Sequence, residues 1–208
     1  MPGIAGGASW SGAACDLETG ICYVSSVTLP YVATLTRISV PNTDYYGKMT
    51  PVDTMQGVPL WMPPYGRITA IDLNTADHRW MTPAGDLAQS NPVLKQFGLR
   101  SLGRPARGHL LLTKTLLIVG QEGNTQRESS AQREASADPG SVKVPDFEIH
   151  DPKLCAYDKA TGKVVGEVAL PRNATGAPMT YMLNGKQFIV VPTGGSNLPA
   201  ELIALCLS

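Results

Sequence analysis

A short pattern, Ala-x-Asp-x-x-Thr-Gly, recurs three times and constrains the fold of this chain more than any other feature. The copies occupy residues 14–20, 70–76 and 156–162, and the second ends in Ala76 instead of glycine. Asp and Thr side chains bond nearby backbone N–H groups, and glycine supplies the left-handed conformation that closes a tight turn. Apolar or alternating residues flank each copy, so the pattern predicts strand, turn, strand. The repeated aspartate is therefore interpreted as a turn residue and not as a catalytic carboxylate.

Two further hairpins are predicted at residues 110–119 and 178–191. In the second, Asn184-Gly185 is the strongest short hairpin signal that a sequence offers. The 208 residues include 21 glycines and 17 prolines but only 16% charged residues, which favours short strands and excludes a charge-rich helical bundle. Together these features predict an all-β chain of about three four-stranded antiparallel units, at residues 8–83, 108–170 and 177–208.

Residues 121–141 lengthen the second unit. They are rich in Gln, Glu, Arg, Ser and Ala and have almost no apolar content, so they predict a mobile loop. In the third unit, one strand over residues 200–207 follows the hairpin, and the sequence then provides no fourth strand. A closed β-propeller can supply such a strand from the N-terminal segment of the same chain. We therefore interpret the sequence as the C-terminal part of a larger propeller.

Charge and hydropathy argue against nucleic-acid binding and against a transmembrane helix. Lys plus Arg and Asp plus Glu number 17 each and no basic stripe occurs, so nucleic-acid binding is not expected. The most apolar stretch, residues 110–119, is too short and too interrupted for a transmembrane helix. The first seven residues lack the features of a signal peptide, which leaves a cytoplasmic protein or a chain without its original start.

The four cysteines show neither a Cys-x-x-Cys pair nor histidine at ligand spacing, so no zinc site is expected. Cys15 and Cys22 flank the first turn and could face each other across a hairpin. Each also stands where a strand favours a small apolar side chain, and we expect packing here rather than a disulfide.

Several separated runs resemble the C-terminal third of the pyrroloquinoline quinone (PQQ) dependent dehydrogenases, especially the glucose dehydrogenase-like quinoproteins. These runs are residues 6–14, 63–75, 176–181 and 185–191. Residues 70–80 also resemble that family's tryptophan-docking motif, in which an indole packs against the turn of the neighbouring blade. Trp80 fills the tryptophan position, whereas the last repeat has Gly166 there.

The resemblance implies an eight-bladed propeller with PQQ near its axis, where the quinone accepts a hydride from a sugar or alcohol. Calcium would act as Lewis acid, an aspartate would take the hydroxyl proton, and electrons would pass to a respiratory quinone or cytochrome in the periplasm. The base and the calcium ligands belong to earlier blades in that family. This chain is therefore expected to depend on upstream blades and to be inactive alone.

One segment resembles a cofactor contact. Ser9 and Trp10 resemble the Gly-Gly-x-Asn-Trp segment that approaches the quinone in related alcohol dehydrogenases, with Ser9 in place of asparagine. Serine can still donate one hydrogen bond to a quinone oxygen. The alternative for Trp10 is a structural indole at the inner edge of a blade.

Three other groups of residues have a structural and a functional interpretation. Residues 61–65 follow a proline-containing insertion and could roof the axial pocket, although ordinary loop packing is favoured. Arg100, Arg104 and Arg107 could face the carboxylates of PQQ, but a solvated loop is favoured. The three histidines show no partner pattern.

At the level of function, the alternative to the dehydrogenase is a non-catalytic propeller scaffold or binding module.

Overall fold

The computed structural model describes residues 6–52, 54–56, 58–122, 152–195 and 198–206. Short antiparallel strands dominate these residues and form three main sheets that are not closed into a ring. The prediction of an all-β partial propeller is confirmed. Two one-turn helices, α1 (Leu87–Ser90) and α2 (Pro92–Lys95), lie in the connection after the first sheet. In the described part of the chain no helix has the length and apolar character that a membrane span requires.

The first sheet is interrupted by an insertion with its own strands. Strands β1 (Gly7–Asp16) and β2 (Ile21–Val27) precede the insertion. The insertion contains β3 (Tyr31–Val40), β4 (Thr43–Pro51), β5 (Thr54–Met55) and β6 (Val58–Pro59), paired as β3 with β4 and β5 with β6. Strands β7 (Gly66–Asp72) and β8 (His78–Pro83) then complete a sheet of order β1-β2-β7-β8.

The second and third sheets follow in chain order. The second contains β9 (Gly108–Leu112), β10 (Leu116–Gln121), β11 (Lys153–Asp158) and β12 (Val164–Ala169), which pair sequentially. The third contains β13 (Asn173–Ala174), β14 (Met179–Leu183), β15 (Lys186–Gly195) and β16 (Leu198–Cys206). Strands β13 and β14 share one edge of β15 and β16 occupies the other, so the described third sheet is three strands wide.

The boundaries of the three predicted units remain a prediction. Of the predicted loop at 121–141, Gln121 ends β10, Glu122 follows it, and the remaining residues lie outside the described part of the chain. The two predicted hairpins are present: β9 turns into β10, and β14 turns into β15 through Asn184 and Gly185, both at positive φ.

The aspartate of each repeated motif acts as the turn residue that the sequence predicts. In each copy its Oδ1 accepts a backbone N–H bond of 2.8–3.1 Å, donated by Glu18 to Asp16, by Asn74 to Asp72 and by Thr161 to Asp158. The backbone N–H bond from Asn74 lowers the pKa of Asp72, and hydrogen bonds from the Thr161 hydroxyl and then its N–H lower the pKa of Asp158. The last position of each copy has a φ of 63–71°, including Ala76, where a side chain adopts the left-handed region.

Trp80 docks on the turn of the next sheet, as its place in the motif predicts. Its indole Nε1–H donates to the Lys159 carbonyl at 3.1 Å. The ring covers Gly162, where a Cβ atom would lie 2.6 Å from Cε3 of the indole. Glycine is therefore required at residue 162 both for its φ of 70° and for the close approach of the ring.

Two more side chains of the first sheet hold Lys159. The Tyr23 hydroxyl donates to the same carbonyl at 3.1 Å, and its ring lies 5.7 Å from that of Trp80. The Lys159 ammonium lies 2.6 Å from Oδ2 of Asp16. Hydrogen bonding from Lys159 is the main cause that lowers the pKa of Asp16 to about 2. We call these four residues, Asp16, Tyr23, Trp80 and Lys159, the turn clamp.

Two apolar clusters fill the spaces between the sheets. The first joins sheets one and two and includes Tyr23, Ile68, Leu117, Val119 and Tyr157, each at most 2% exposed. The second joins sheets two and three and is made of Ile118, Leu154, Leu170, Ala174 and Val191. Burial of these side chains, each worth about 1.5–3 kcal/mol relative to exposure for a large aliphatic residue, is the main force that packs the sheets face to face.

The expectation for the first two cysteines is wrong. Cys15 and Cys22 are direct partners in the β1–β2 register, with Cα atoms 4.1 Å apart, and they form a disulfide. The turn between Asp16 and Ile21 places the two residues opposite each other, as the spacing allows, and the sequence pattern does not distinguish a disulfide from packing at such a pair.

Candidate functional site

The innermost strand of the first sheet carries the predicted cofactor contact. Strand β1 is an edge strand of its sheet, and it packs beside β9, the edge strand of the second sheet. On the same side, β10 contacts β13 of the third sheet. The first and second sheets therefore meet along their edge strands β1 and β9, and the second and third meet along β10 and β13. In a propeller, the inner edge strands of the blades face the axis.

A bulge interrupts β1 at the residues of interest. Ala8 pairs with Ser26 and Ala13 pairs with Val24, so residues 9–12 lie opposite Ser25 alone. Gly12 has a φ of 85°, a conformation that glycine adopts readily. Bulges of this kind re-aim side chains and occur next to active sites. The structure thus places the backbone of Ser9 and Trp10 in a distorted part of the axial strand, while their side chains lie outside its description.

His109, one of the three histidines that show no partner pattern in the sequence, is a second candidate, and it lies on strand β9 beside β1. It lies in β9 and is 2% exposed. Burial, with a smaller contribution from the Arg107 charge, lowers its pKa. A neutral imidazole at this place can donate one hydrogen bond and accept another. The sequence feature that could have indicated a buried histidine is its position at the start of the apolar run that forms β9.

The three arginines do not act as one group. Arg100 is exposed, as expected for a solvated loop. Arg104 is half-buried and lines a cleft between the first and second sheets, where burial lowers its pKa. The backbone N–H of Arg107 donates to the Glu122 carboxylate at 3.3 Å. The structure gives no convergence of the three guanidinium groups on one carboxylate-binding site.

The cleft beside Arg104 has a volume of about 220 Å³ and lies away from the axial strands. Its charged lining residues are of both signs: Asp86, Arg104, Glu122, Lys153 and Glu167. Lys153 and Glu167 pair at 2.8 Å, and Tyr157 accepts a bond from Gln121. Two pairs of lining groups, Lys153 with Glu167 and Gln121 with Tyr157, therefore bond each other within this cleft between the two sheets.

Residues 61–65 pack as an ordinary loop. The indole N–H of Trp61 donates to the Thr28 carbonyl at 3.0 Å, and its ring meets that of Tyr65 edge-on at 6.0 Å. Tyr65 is only 3% exposed, whereas Met62 is 86% exposed. The favoured interpretation of this segment agrees with these contacts.

The chemistry of the available donors fits the two expected cofactors differently. As residue types, serine can donate a hydrogen bond to a quinone oxygen and tryptophan can stack on a flat ring, so both are chemically compatible with PQQ. Calcium prefers six to eight oxygen ligands. Among the described residues, no group of three or more His, Cys, Asp or Glu side chains is placed to hold a metal ion. The described part of the chain therefore does not fit a calcium site.

Comparison with known proteins identifies the family. The family model for the glucose/ethanol/alcohol dehydrogenase β-propeller domain, named PQQ, matches residues 1–132 and 140–189. A quinoprotein glucose dehydrogenase of Gluconobacter oxydans (strain 621H) is 28% identical over 95% of this chain and 25% of its own length. Quinoprotein glucose dehydrogenase A of Acinetobacter calcoaceticus is 42% identical over 45 residues, which is 22% of this chain and 6% of that protein. The chain thus spans about a quarter of the length of the first of these relatives. It belongs to the PQQ glucose/ethanol/alcohol dehydrogenase β-propeller family.

Proposed function

We propose that this chain is the C-terminal portion of a quinoprotein dehydrogenase that oxidises a sugar or an alcohol. The observation that carries the proposal is the bulge in β1, which lies on the axial side of a partial propeller of the PQQ family. In this proposal the three sheets are part of an eight-bladed ring, and upstream blades complete it. The expected dependence on these blades follows from the size of the Gluconobacter relative, of which the chain covers a quarter.

Ser9 and Trp10 are the residues that we assign to cofactor binding. The Ser9 hydroxyl would donate a hydrogen bond to a PQQ oxygen, and the Trp10 indole would exclude water from one side of the ring. When bound, PQQ supplies a quinone that accepts a hydride from the carbon bearing the substrate hydroxyl. Calcium is assigned to ligands on the upstream blades, because the described residues here offer no such group.

Electrons then pass to a respiratory quinone or a cytochrome, and the protein acts in the periplasm. The Cys15–Cys22 disulfide supports this compartment, since disulfides persist in oxidising environments.

Dye-linked activity tests the proposal. The 208-residue chain is assayed with PQQ, calcium and glucose or ethanol, alone and mixed with separately produced upstream blades of the Gluconobacter relative. We expect no turnover by the chain alone and turnover by the mixture. Trp10→Phe and Ser9→Ala should each lower the activity of the mixture by about tenfold or more, a typical effect of removing one positioned donor or contact.

Trp61→Phe is the matched control, because Trp61 packs in a loop and should leave activity unchanged. Metal-dependent turnover by the pure chain would contradict the assignment of base and calcium ligands to other blades. A mixture that assembles but neither binds PQQ nor shows turnover would instead favour the scaffold alternative.

A further inference from the structure

The hydroxyl of Ser25 is a buried polar group that the packing of the sheets does not explain. Ser25 lies in β2, is 4% exposed, and makes no side-chain hydrogen bond within the described part of the chain. A buried hydroxyl in this condition costs folding free energy, because it has lost its bonds to water without a replacement. An alanine would fill nearly the same space without that cost. The serine therefore calls for an explanation other than packing.

The neighbours of this hydroxyl place it at the contact between the first and second sheets. Ser25 pairs with Ile68 of β7, and the Ile68 side chain belongs to the apolar cluster between these sheets. Directly paired residues share a face, so Ser25 also faces the second sheet. A Cβ atom added to Gly108, the first residue of β9, would lie 2.8 Å from the Ser25 Oγ. Glycine at residue 108 thus leaves the space that the hydroxyl occupies.

The backbone opposite Ser25 on the other side of β2 is the bulge of β1. Four residues, 9–12, stand where a regular ladder would place one, so their N–H and C=O groups cannot all have regular partners on β2. Strand β9 packs against both β1 and β2. A buried hydroxyl and an irregular stretch of backbone therefore lie opposite each other at the same contact between sheets.

We propose that Ser25 is a positioning residue for the axial site: its hydroxyl donates a hydrogen bond to a backbone carbonyl of residues 9–12 and fixes the bulge when PQQ is bound. The inference rests on the proposed function, in which Ser9 and Trp10 contact PQQ from this bulge. Ser25 acts through the bulge and not on the cofactor, because β1 is the edge strand of the sheet and β2 lies behind it. The bond favours one conformation of the segment, which lowers the free-energy cost of ordering it on binding.

Equilibrium titration with PQQ, followed by protein fluorescence, tests the inference without substrate or turnover. The sample is the 208-residue chain mixed with the upstream blades of the Gluconobacter relative, with calcium present throughout. Ser25→Ala should weaken PQQ binding about five- to tenfold, the effect of one lost hydrogen bond. In the chain alone, the same variant should have a denaturant midpoint equal to or higher than that of the wild type, because it removes a buried hydroxyl that lacks a partner. A purely structural role would lower the midpoint.

Ser26→Ala is the matched control. Ser26 is the next residue of β2, its side chain points to the opposite face of the sheet, and it pairs with Ala8 before the bulge begins. Its replacement should leave both the PQQ affinity and the denaturant midpoint unchanged.

A double variant tests whether Ser25 acts through the bulge. In a chain that carries Trp10→Phe, Ser25→Ala should weaken PQQ binding by clearly less than it does in the wild type, because residues that act as one unit have non-additive effects. Additive losses in this pair would contradict the role assigned to the bulge.

The outcomes separate this inference from the proposed function. A Ser25→Ala mixture that binds PQQ as tightly as the wild type overturns the inference and leaves the proposed function standing. A lowered denaturant midpoint for Ser25→Ala in the chain alone does the same, because it assigns the serine to the stability of the fold. A wild-type mixture that binds no PQQ overturns the proposed function, and the inference with it.

Discussion

The two contacts between neighbouring sheets are built differently. Between the first and second sheets, the turn clamp adds an indole, a phenol and an ion pair to the apolar cluster. Between the second and third sheets, the cluster of Ile118, Leu154, Leu170, Ala174 and Val191 provides the packing. Gly166 stands where the motif would have tryptophan, and a Cβ there would touch nothing within 4 Å. The difference shows that the motif fixes the geometry at one contact, whereas apolar burial is sufficient to form the other.

The largest effect is expected from the indole. Trp80→Ala should lower the free energy of unfolding by about 3–5 kcal/mol, because it removes a large packed side chain and leaves Tyr23 and Gly162 without their partner. Trp61→Ala should cost much less, since Trp61 makes one hydrogen bond and one edge-on ring contact within its own loop and docks on no neighbouring sheet in the described part of the chain. Denaturant titration measures both. Equal losses would mean that the clamp is no stronger than loop packing.

A smaller loss of stability than that of Trp80→Ala is expected from a substitution in the apolar cluster between the second and third sheets. Leu154→Ala should cost about 2–3 kcal/mol, the low end for a buried leucine, because partly exposed neighbours can close around the cavity. The same titration measures this loss. If Leu154→Ala costs more than Trp80→Ala, the apolar contact is the stronger of the two and the comparison is reversed.

Substitution of Gly162 measures how much stability depends on the close contact between this residue and the Trp80 indole. Gly162→Ala should cost about 1–2 kcal/mol more than Gly185→Ala, because both residues have φ near 70–77° but only a Cβ at residue 162 meets the indole. Gly185 has nothing within 4 Å and so reports the backbone strain alone. Thermal unfolding of the pair separates the two effects, and equal losses would remove the steric argument.

The smallest effect is expected from the ion pair, and it depends on pH. The pKa of Asp16 is about 2 in the folded chain, below its usual value of 3.8. Its contribution to stability is therefore complete above pH 3.8 and is lost as the pH falls toward 2. Asp16→Asn keeps an oxygen for the turn but removes the charge. Its denaturant midpoint should be lower than that of wild type at pH 7, and the two should converge near pH 2. A difference that does not change with pH would show that charge is not the cause.

Local patterns predicted much of this fold. The three aspartate turns and the Asn184-Gly185 hairpin follow from chemistry within a few residues, and Trp80 follows from a motif of eleven residues. The partners of Lys159 could not be predicted, because Asp16 lies 143 residues away and meets it only through the packing of two sheets. The hairpin of β3 and β4 is not predicted, because the prolines of the insertion indicate a loop, although residues 31–40 carry the β-branched residues of a strand. Of the candidate site, the sequence located the segment of Ser9 and Trp10, but the bulge that distorts it depends on pairing with β2.

The indole of Trp80 and the hydroxyl of Tyr23 both bind a main-chain carbonyl, and this has an evolutionary consequence. Every amino acid provides a carbonyl oxygen, so these two bonds place no demand on the side chain at residue 159. A neighbouring turn can change that residue freely as long as it keeps the glycine beneath the ring. Blades that carry the motif can therefore be duplicated or exchanged during evolution and still dock on their neighbours, while side-chain pairs such as that of Lys159 with Asp16 distinguish one junction from the next.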